Sequence, residues 1–315
     1  MRLATLRSGG RDGRLVVVAP DGLHAALAPV ATLQEAVEDW GRWGPLLRAV
    51  DSFPLSLDPA ELAAPLPRAW QWLDGSAFPS HGELMDRAFG RASTTHRGIL
   101  MYQGLSDCFL GPRDDVPFPD ESLGIDFEGE FAVITDEVPM GTSVSDAAAH
   151  ILLVVQVNDW SLRSLAREEI ATGFGFVQAK PACGMAPFAV TPDELGDQWA
   201  HCRAGLALQV QLNGERFGEP LGDAMAYGFD VLVAHAARTR RLPAGTIIGS
   251  GTVSNADHER VGSTCIAERR SIEIIAGGQP VTDYLHFGDV VRMRAVLASG
   301  EAPFGTLEQR VVRAT

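Results

Sequence analysis

The sequence predicts an α+β fold, mainly β, and three observations predict it. Strand signals multiply after residue 67 and are mixed with only a few helical stretches. The segments Leu206–Leu212 and Glu215–Phe217 flank Asn213-Gly214, the turn pair favoured for a type I′ hairpin. The order of elements lacks the strand–helix alternation of a doubly wound sheet, and the chain has neither a Gly-x-Gly-x-x-Gly run nor a phosphate loop. With 315 residues, 46% apolar and 21% charged, the chain has an ordinary globular composition and enough length for a substantial core.

Taken in order, residues 1 to 30 read as short strands. Arg14–Ala19 is followed by the turn Pro20-Asp21-Gly22 and then by Leu23–Leu27. Thr32 to Val50 reads as a Thr32-capped helix, with Leu33, Val37, Trp40, Leu46 and Leu47 as its apolar face. Asp51–Pro67 carries Pro54, Pro59, Pro65 and Pro67 and reads as a linker. A small β-rich N-terminal domain with its linker is therefore expected over residues 1–65, and a larger domain over 66–315. In the larger domain, Gly124–Ile134 and Ile151–Ser161 read as strands and Leu162–Glu169 as a helix. After the hairpin, Asp230–Arg240 reads as a helix. Thr246–Ser254, Cys265–Ala267, Ser271–Ile275 and Asp289–Arg294 read as strands.

Charge and cysteine usage exclude several functions. The net charge of −14 argues against nonspecific binding to nucleic acid or to an anionic membrane. No apolar run approaches the roughly 20 residues of a membrane span, and the first ten residues lack the apolar segment of a signal peptide. Cys108, Cys183, Cys202 and Cys265 form no Cys-x-x-Cys pair and read as free thiols of a cytoplasmic protein.

The chemistry-bearing stretch is Gly124–Ile134. Its alternation places Phe127, Phe131 and Val133 on one face, and Asp126, Glu128 and Glu130 on the other. Same-face carboxylates on a strand sit roughly 6.5–7 Å apart, so their repulsion needs compensation. Solvent on an edge strand would supply it, and so would a hard divalent cation. Asp159 ends a buried-looking strand, where it reads either as a helix cap or as a ligand facing a cleft. Asp74 fits a turn, and His81 taken alone fits a surface position.

These residues, with others, carry a resemblance. Across roughly residues 65 to 313 the chain resembles the fumarylacetoacetate hydrolase family. The matching segments are Asp74…His81, Met101-Tyr102-Gln103-Gly104, Asp126-Phe127-Glu128-Gly129-Glu130, Asn158-Asp159-Trp160-Ser161-Leu162-Arg163, Ala179-Lys180-Pro181, Gly251-Thr252-Val253-Ser254 and Phe287-Gly288-Asp289-Val290-Val291. Their order and spacing together make the match specific. The resemblance implies a mixed β-sandwich or roll of the fumarylacetoacetase type, in a homodimer with one site per subunit. It also implies Asp74, Glu128, Glu130 and Asp159 as ligands of Mg²⁺ or Ca²⁺, with Mn²⁺ possible. An all-oxygen donor set suits such hard cations.

The implied reaction is cleavage of a carbon–carbon bond in a fumarylacetoacetate-like or acylpyruvate-like diketo acid. His81 matches the general base, and Glu268 is the candidate carboxylate that orients it. Lys180 and Arg163 match groups that stabilise the oxyanion, and Tyr102 and Thr252 match substrate contacts. The glutamine that longer members carry three residues after the matched arginine is Ala166 here, and Gln178 is the candidate replacement. The N-terminal segment carries little of the resemblance. Two other readings stand beside this one: a β-keto acid decarboxylase or enol-diacid hydratase or isomerase using the same metal site, and a non-catalytic protein holding a structural cation.

Overall fold

The computed structural model describes residues 1–88, 90 and 98–314. The N-terminal part contains β1 (Arg2–Leu6), β2 (Arg14–Val18), β3 (His24–Leu27), α1 (Leu33–Glu38), α2 (Trp40–Arg48) and β4 (Leu55–Ser56). Then come β5 (Trp72–Gly75), α3 (Pro79–Ala88), β6 (Met101–Gly104), β7 (Val116–Phe118), β8 (Ile125–Asp126), β9 (Gly129–Thr135) and α4 (Val144–Ala147). Next are β10 (Ile151–Asn158), β11 (Ser161–Leu162), α5 (Arg163–Thr172), β12 (Gly184–Met185), β13 (Ala189–Val190), β14 (Trp199–Ala200) and β15 (Arg203–Ala204). The chain ends with β16 (Ala207–Leu212), β17 (Glu215–Gly218), α6 (Phe229–Ala236), β18 (Ile247–Gly249), α7 (His258–Val261), α8 (Ile266–Gly277), β19 (Val290–Val296) and β20 (Leu307–Arg313).

Two mixed sheets carry the fold, in agreement with the α+β expectation. The larger has eleven strands in the order β4-β3-β2-β1-β13-β10-β9-β18-β5-β6, with β12 paired to β10 off this path. The smaller runs β17-β16-β19-β20-β7. The N-terminal strands join the large sheet through β1, which pairs with β13 by Arg2↔Val190 and Leu3↔Ala189. Alternation along β9 divides the core. Phe131 and Val133 pack into the cluster that also holds Leu208, Met293 and Leu307 of the second sheet. Ala132 and Ile134 pack on the other face with Leu33, Val37 and Leu47 of the N-terminal helices. Full burial of one such side chain contributes on the order of 1.5–3 kcal/mol. Among the described residues no helix is long and apolar enough to cross a membrane.

The hairpin forms as expected. Asn213 and Gly214 both have positive φ, 52° and 85°, which type I′ geometry requires. Thr32 caps α1 by accepting the Glu35 N–H at 3.1 Å. The expected single helix over 32–50 is instead two, because Asp39 leaves helical geometry at φ −139° and ψ 57°. The expected strand from Thr246 to Ser254 is confined to β18.

The strands expected at Cys265–Ala267 and Ser271–Ile275 are corrected to one helix, α8. Its β-branched residues read locally as strand. What makes the helix is a cap from elsewhere: the Asp126 carboxylate accepts the N–H of Ile266 at 2.7 Å and of Ala267 at 2.9 Å.

After β18 the chain must turn without a side chain. Gly251 has φ +75°, and a Cβ there would overlap the Gly75 carbonyl oxygen. Gly251→Ala is therefore expected to destabilise the fold by about 1–3 kcal/mol, the cost of a strained backbone position. Denaturant unfolding reads this, and an unchanged midpoint would contradict it.

Candidate active site

Three strands deliver three carboxylates to one buried point. Asp74 lies on β5, Glu130 on β9, and Asp159 just beyond the end of β10. One oxygen of each lies within 4.8 Å of the others. β5 and β9 are not neighbours, since β18 runs between them, which puts their backbones about 9.5 Å apart. The β18 residue in register with both Asp74 and Ala132 is Gly249. A Cβ at Gly249 would overlap Asp74 Oδ1, so its missing side chain is what lets Asp74 reach across. The Gly251 N–H then donates to Asp74 Oδ1 at 3.0 Å.

The electrostatics of this point are strained. Glu130 is fully buried, and neither of its carboxylate oxygens has a hydrogen-bond partner among the described residues. Burial, then the neighbouring Asp74 and Asp159 charges, push Glu130 well above the usual carboxylate range. Burial and Asp159 do the same to Asp74. Two orphaned buried oxygens beside two further carboxylates are a donor set that fits a hard divalent cation.

Glu128 stands outside this trio. The strand breaks between β8 and β9, so Glu128 and Glu130 do not stay on one regular face. Glu128 accepts from Lys180 Nζ at 2.7 Å and from Arg163 Nη2 at 2.5 Å. Burial pulls its ionisation upward, but Lys180 and Arg163, with a smaller contribution from His81, overcome it and hold Glu128 well below the usual range. Lys180 Nζ also donates to Asp159 Oδ2 at 2.6 Å. Burial works against the ammonium, yet Asp159 and Glu128 raise Lys180 above the ordinary lysine value.

Asp126, the acid without a matched role, is buried and not solvated. Besides capping α8, it accepts Arg163 Nε at 2.7 Å. It therefore ties Arg163 to the N-terminus of the helix that carries Glu268. That helix packs on α3, and His81 Nδ1 meets Glu268 Oε2 at 2.9 Å. Glu268 is fully buried and the His81 side chain is 17% exposed.

Of the candidate substrate contacts, the Tyr102 hydroxyl donates to Asp159 Oδ2 at 2.7 Å, and Lys180 Nζ lies 5.5 Å from the Tyr102 ring centre. Thr252 is buried next to Gly251. Gln178 is exposed, its backbone N–H bonded to Glu169, and the structure does not bring it to the site. Cys183 is a free thiol, as expected, but it belongs to the site: its Sγ donates to Asp159 Oδ1 at 3.0 Å from full burial. Asp159 thus receives Lys180, Tyr102 and Cys183, and its helix-cap reading falls away, since α5 begins at Arg163.

Comparison with known proteins bears on the same residues. The family model described as fumarylacetoacetate (FAA) hydrolase C-terminal matches residues 71–312, and fumarylacetoacetase N-terminal domain 2 matches residues 1–68. The N-terminal segment, which carried little of the resemblance, therefore has its own counterpart. The chain is 26% identical over 215 residues to the 2,4-didehydro-3-deoxy-L-rhamnonate hydrolase of Sphingomonas sp. (strain SKA58), covering 67% of this chain and 64% of that protein. It is 22% identical over 158 residues to the mitochondrial oxaloacetate tautomerase fahd2 of Xenopus laevis, covering 49% of this chain and 47% of that one. The match thus spans less than two thirds of either relative's length. The solved maleylpyruvate hydrolase of Sphingobium sp. SYK-6, in complex with manganese (II) and pyruvate, superposes with a TM-score of 0.66 at 19% identity over all of both chains. That likeness shows the fold.

The raised carboxyls make stability depend on pH. A carboxyl raised in the folded state binds protons that the unfolded state releases above about pH 4, so stability falls as pH rises beyond that point. Metal-free protein is expected to melt at a lower temperature at pH 8 than at pH 5, and added Mg²⁺ or Mn²⁺ is expected to raise the melting temperature more at pH 8. A flat profile with no metal effect would contradict this.

Proposed function

The chain belongs to the fumarylacetoacetate hydrolase family, and from that premise we propose that it hydrolyses a carbon–carbon bond in an acylpyruvate-like or fumarylacetoacetate-like diketo acid. The observation that carries the proposal is the buried Asp74–Glu130–Asp159 cluster joined through Lys180 and Glu128 to Arg163, with the His81–Glu268 pair beside it.

In this reading Asp74, Glu130 and Asp159 hold a divalent ion: Mg²⁺, Ca²⁺ or Mn²⁺. Such an ion, when bound, supplies Lewis-acid polarisation of the substrate's oxygens. Glu128 is committed to Lys180 and Arg163, and a metal titration of Glu128→Ala tests whether it is also a ligand. Glu268 fixes the His81 ring through Nδ1, which leaves Nε2 to take a proton from water. The water oxygen bonds to the carbonyl carbon. The adjacent carbon–carbon bond then breaks, and its electron pair passes to the pyruvate fragment as an enolate. His81 returns its proton to that carbon, so water and an acylpyruvate become a carboxylic acid and pyruvate, and in a fumarylacetoacetate-like acid the fragment released in place of pyruvate is acetoacetate. Lys180 and Arg163 are fixed cations beside the developing oxyanion. Tyr102 and Thr252 contact the substrate's oxygens.

A second reading keeps the site and moves only a proton, as a keto–enol tautomerase. Two observations favour it. One relative carries that activity in its name, and Ala166 lines the cavity next to Arg163 with no amide to serve an oxyanion.

The test is incubation with Mg²⁺ or Mn²⁺ and a panel of acylpyruvates, fumarylacetoacetate and oxaloacetate. Hydrolysis predicts pyruvate release from acylpyruvates, and His81→Ala should lower kcat about 10²- to 10⁴-fold. Loss of enol absorbance without cleavage supports the tautomerase. His81→Ala at wild-type rate would refute the assigned base.

A further inference from the structure

A cavity of about 570 Å³ opens beside Arg163, which is one of its lining residues. Its volume is within the range of small-molecule sites. α3 supplies Met85, α5 supplies Ala166 and Ile170, and α8 supplies Ile274, so much of its wall is apolar. Among the described residues, the charged groups of the lining are Arg163, Arg167 and Arg270, and no acid lines it. That is the reverse of the chain's balance, in which 40 acids face 26 bases.

The three arginines are not equivalent. Arg163 is paired to Asp126 and Glu128, and its charge is already answered. Arg167 lies one turn further along α5, on the same face, and has no acidic partner among the described residues. Arg270 donates one N–H to the Thr282 carbonyl, and its guanidinium sits 4.6 Å from the Tyr284 ring centre. These contacts hold the group in place and leave donors over, because a guanidinium has five N–H and neither contact supplies a countercharge. The cavity therefore has an apolar wall, two arginines with no acidic partner among the described residues, and Arg163 at its edge.

We propose that Arg167 and Arg270 select substrates that carry a second carboxylate at the end remote from the diketone. The inference rests on the hydrolase reading above for the position of the diketo-acid end. Arg163 both lines the cavity and bonds Glu128, which bonds Lys180 beside Asp159, so the cavity adjoins this charge series, and a substrate whose diketo-acid end faces the series places its far end in the cavity. A methylene or vinylene spacer packs on Ala166 and Ile170, and the terminal carboxylate meets the two arginines.

The test uses two acylpyruvates of equal carbon count. Succinylpyruvate ends in a carboxylate and butyrylpyruvate ends in a methyl group. Wild type should prefer succinylpyruvate, and in Arg270→Met and Arg167→Met the ratio of the two kcat/KM values should fall about ten-fold or more, as expected for a charge-assisted contact. Arg270→Lys should restore part of the ratio. Arg167→Met, on an exposed helix face, keeps the test valid if Arg270→Met fails to fold. An unchanged ratio in both methionine variants would overturn the proposal. A calorimetric titration with unreactive glutarate and valerate separates this from the hydrolase reading. If wild type cleaves neither acylpyruvate, the hydrolase reading fails. The cavity assignment still stands if glutarate binds more tightly than valerate and the arginine variants abolish the difference. Equal binding of the two probes overturns it.

Discussion

The structure around the site depends on one constraint: Glu130 is an acid buried with no donor for either oxygen among the described residues, beside two other acids. A group in that position must gain a proton or a cation. Other features of the site follow from keeping it there. β9 is buried along its whole length, which fixes the Glu130 backbone. Gly249 clears the path by which Asp74 arrives from a strand two places away. Asp159 is set at the end of β10 and receives three donors, from Lys180, Tyr102 and Cys183.

Around this point the charges alternate. Asp126, Arg163, Glu128, Lys180 and Asp159 form a continuous series in which each member touches a partner of opposite sign. The series neutralises Glu128 with two cations and leaves Asp74 and Glu130 without one. Counted as ions, the five carboxylates exceed the two cations by three negative charges, an excess that a divalent ion largely removes. The same series links the chemistry to the scaffold. Asp126 caps α8, α8 carries Glu268, and Glu268 holds His81. Breaking a buried pair such as Asp126–Arg163 is expected to cost far more than a surface pair, because it leaves an uncompensated charge inside.

Much of this was legible in the sequence. Local patterns sufficed for the Asn213-Gly214 hairpin, for the Thr32 cap and for β10. The acidic alternation in 126–130 marked the site, and the spaced motifs brought Asp74, Asp159, Lys180, Arg163 and His81 to it. What could not be read was set by distant contacts. α8 looked like strand because its cap is a carboxylate 140 residues away in the chain. Asp126 and Glu128 looked like neighbours of Glu130 on one face, but the backbone breaks at Phe127–Glu128 and sends them to cations instead. Gln178 looked available as a donor, yet its loop leaves it exposed. Cys183 looked incidental because no spacing rule predicts a thiol donating to Asp159.

The features above converge on the Asp74–Glu130–Asp159 cluster as the place for a divalent ion. Equilibrium dialysis against Mn²⁺ at pH 8, with the bound metal counted per chain, tests it most directly. About one tightly held ion per wild-type chain is expected, and loss of that ion in Glu130→Ala while circular dichroism shows the fold retained. A folded wild type that takes up no Mn²⁺, or a Glu130→Ala variant that keeps its ion, would contradict it.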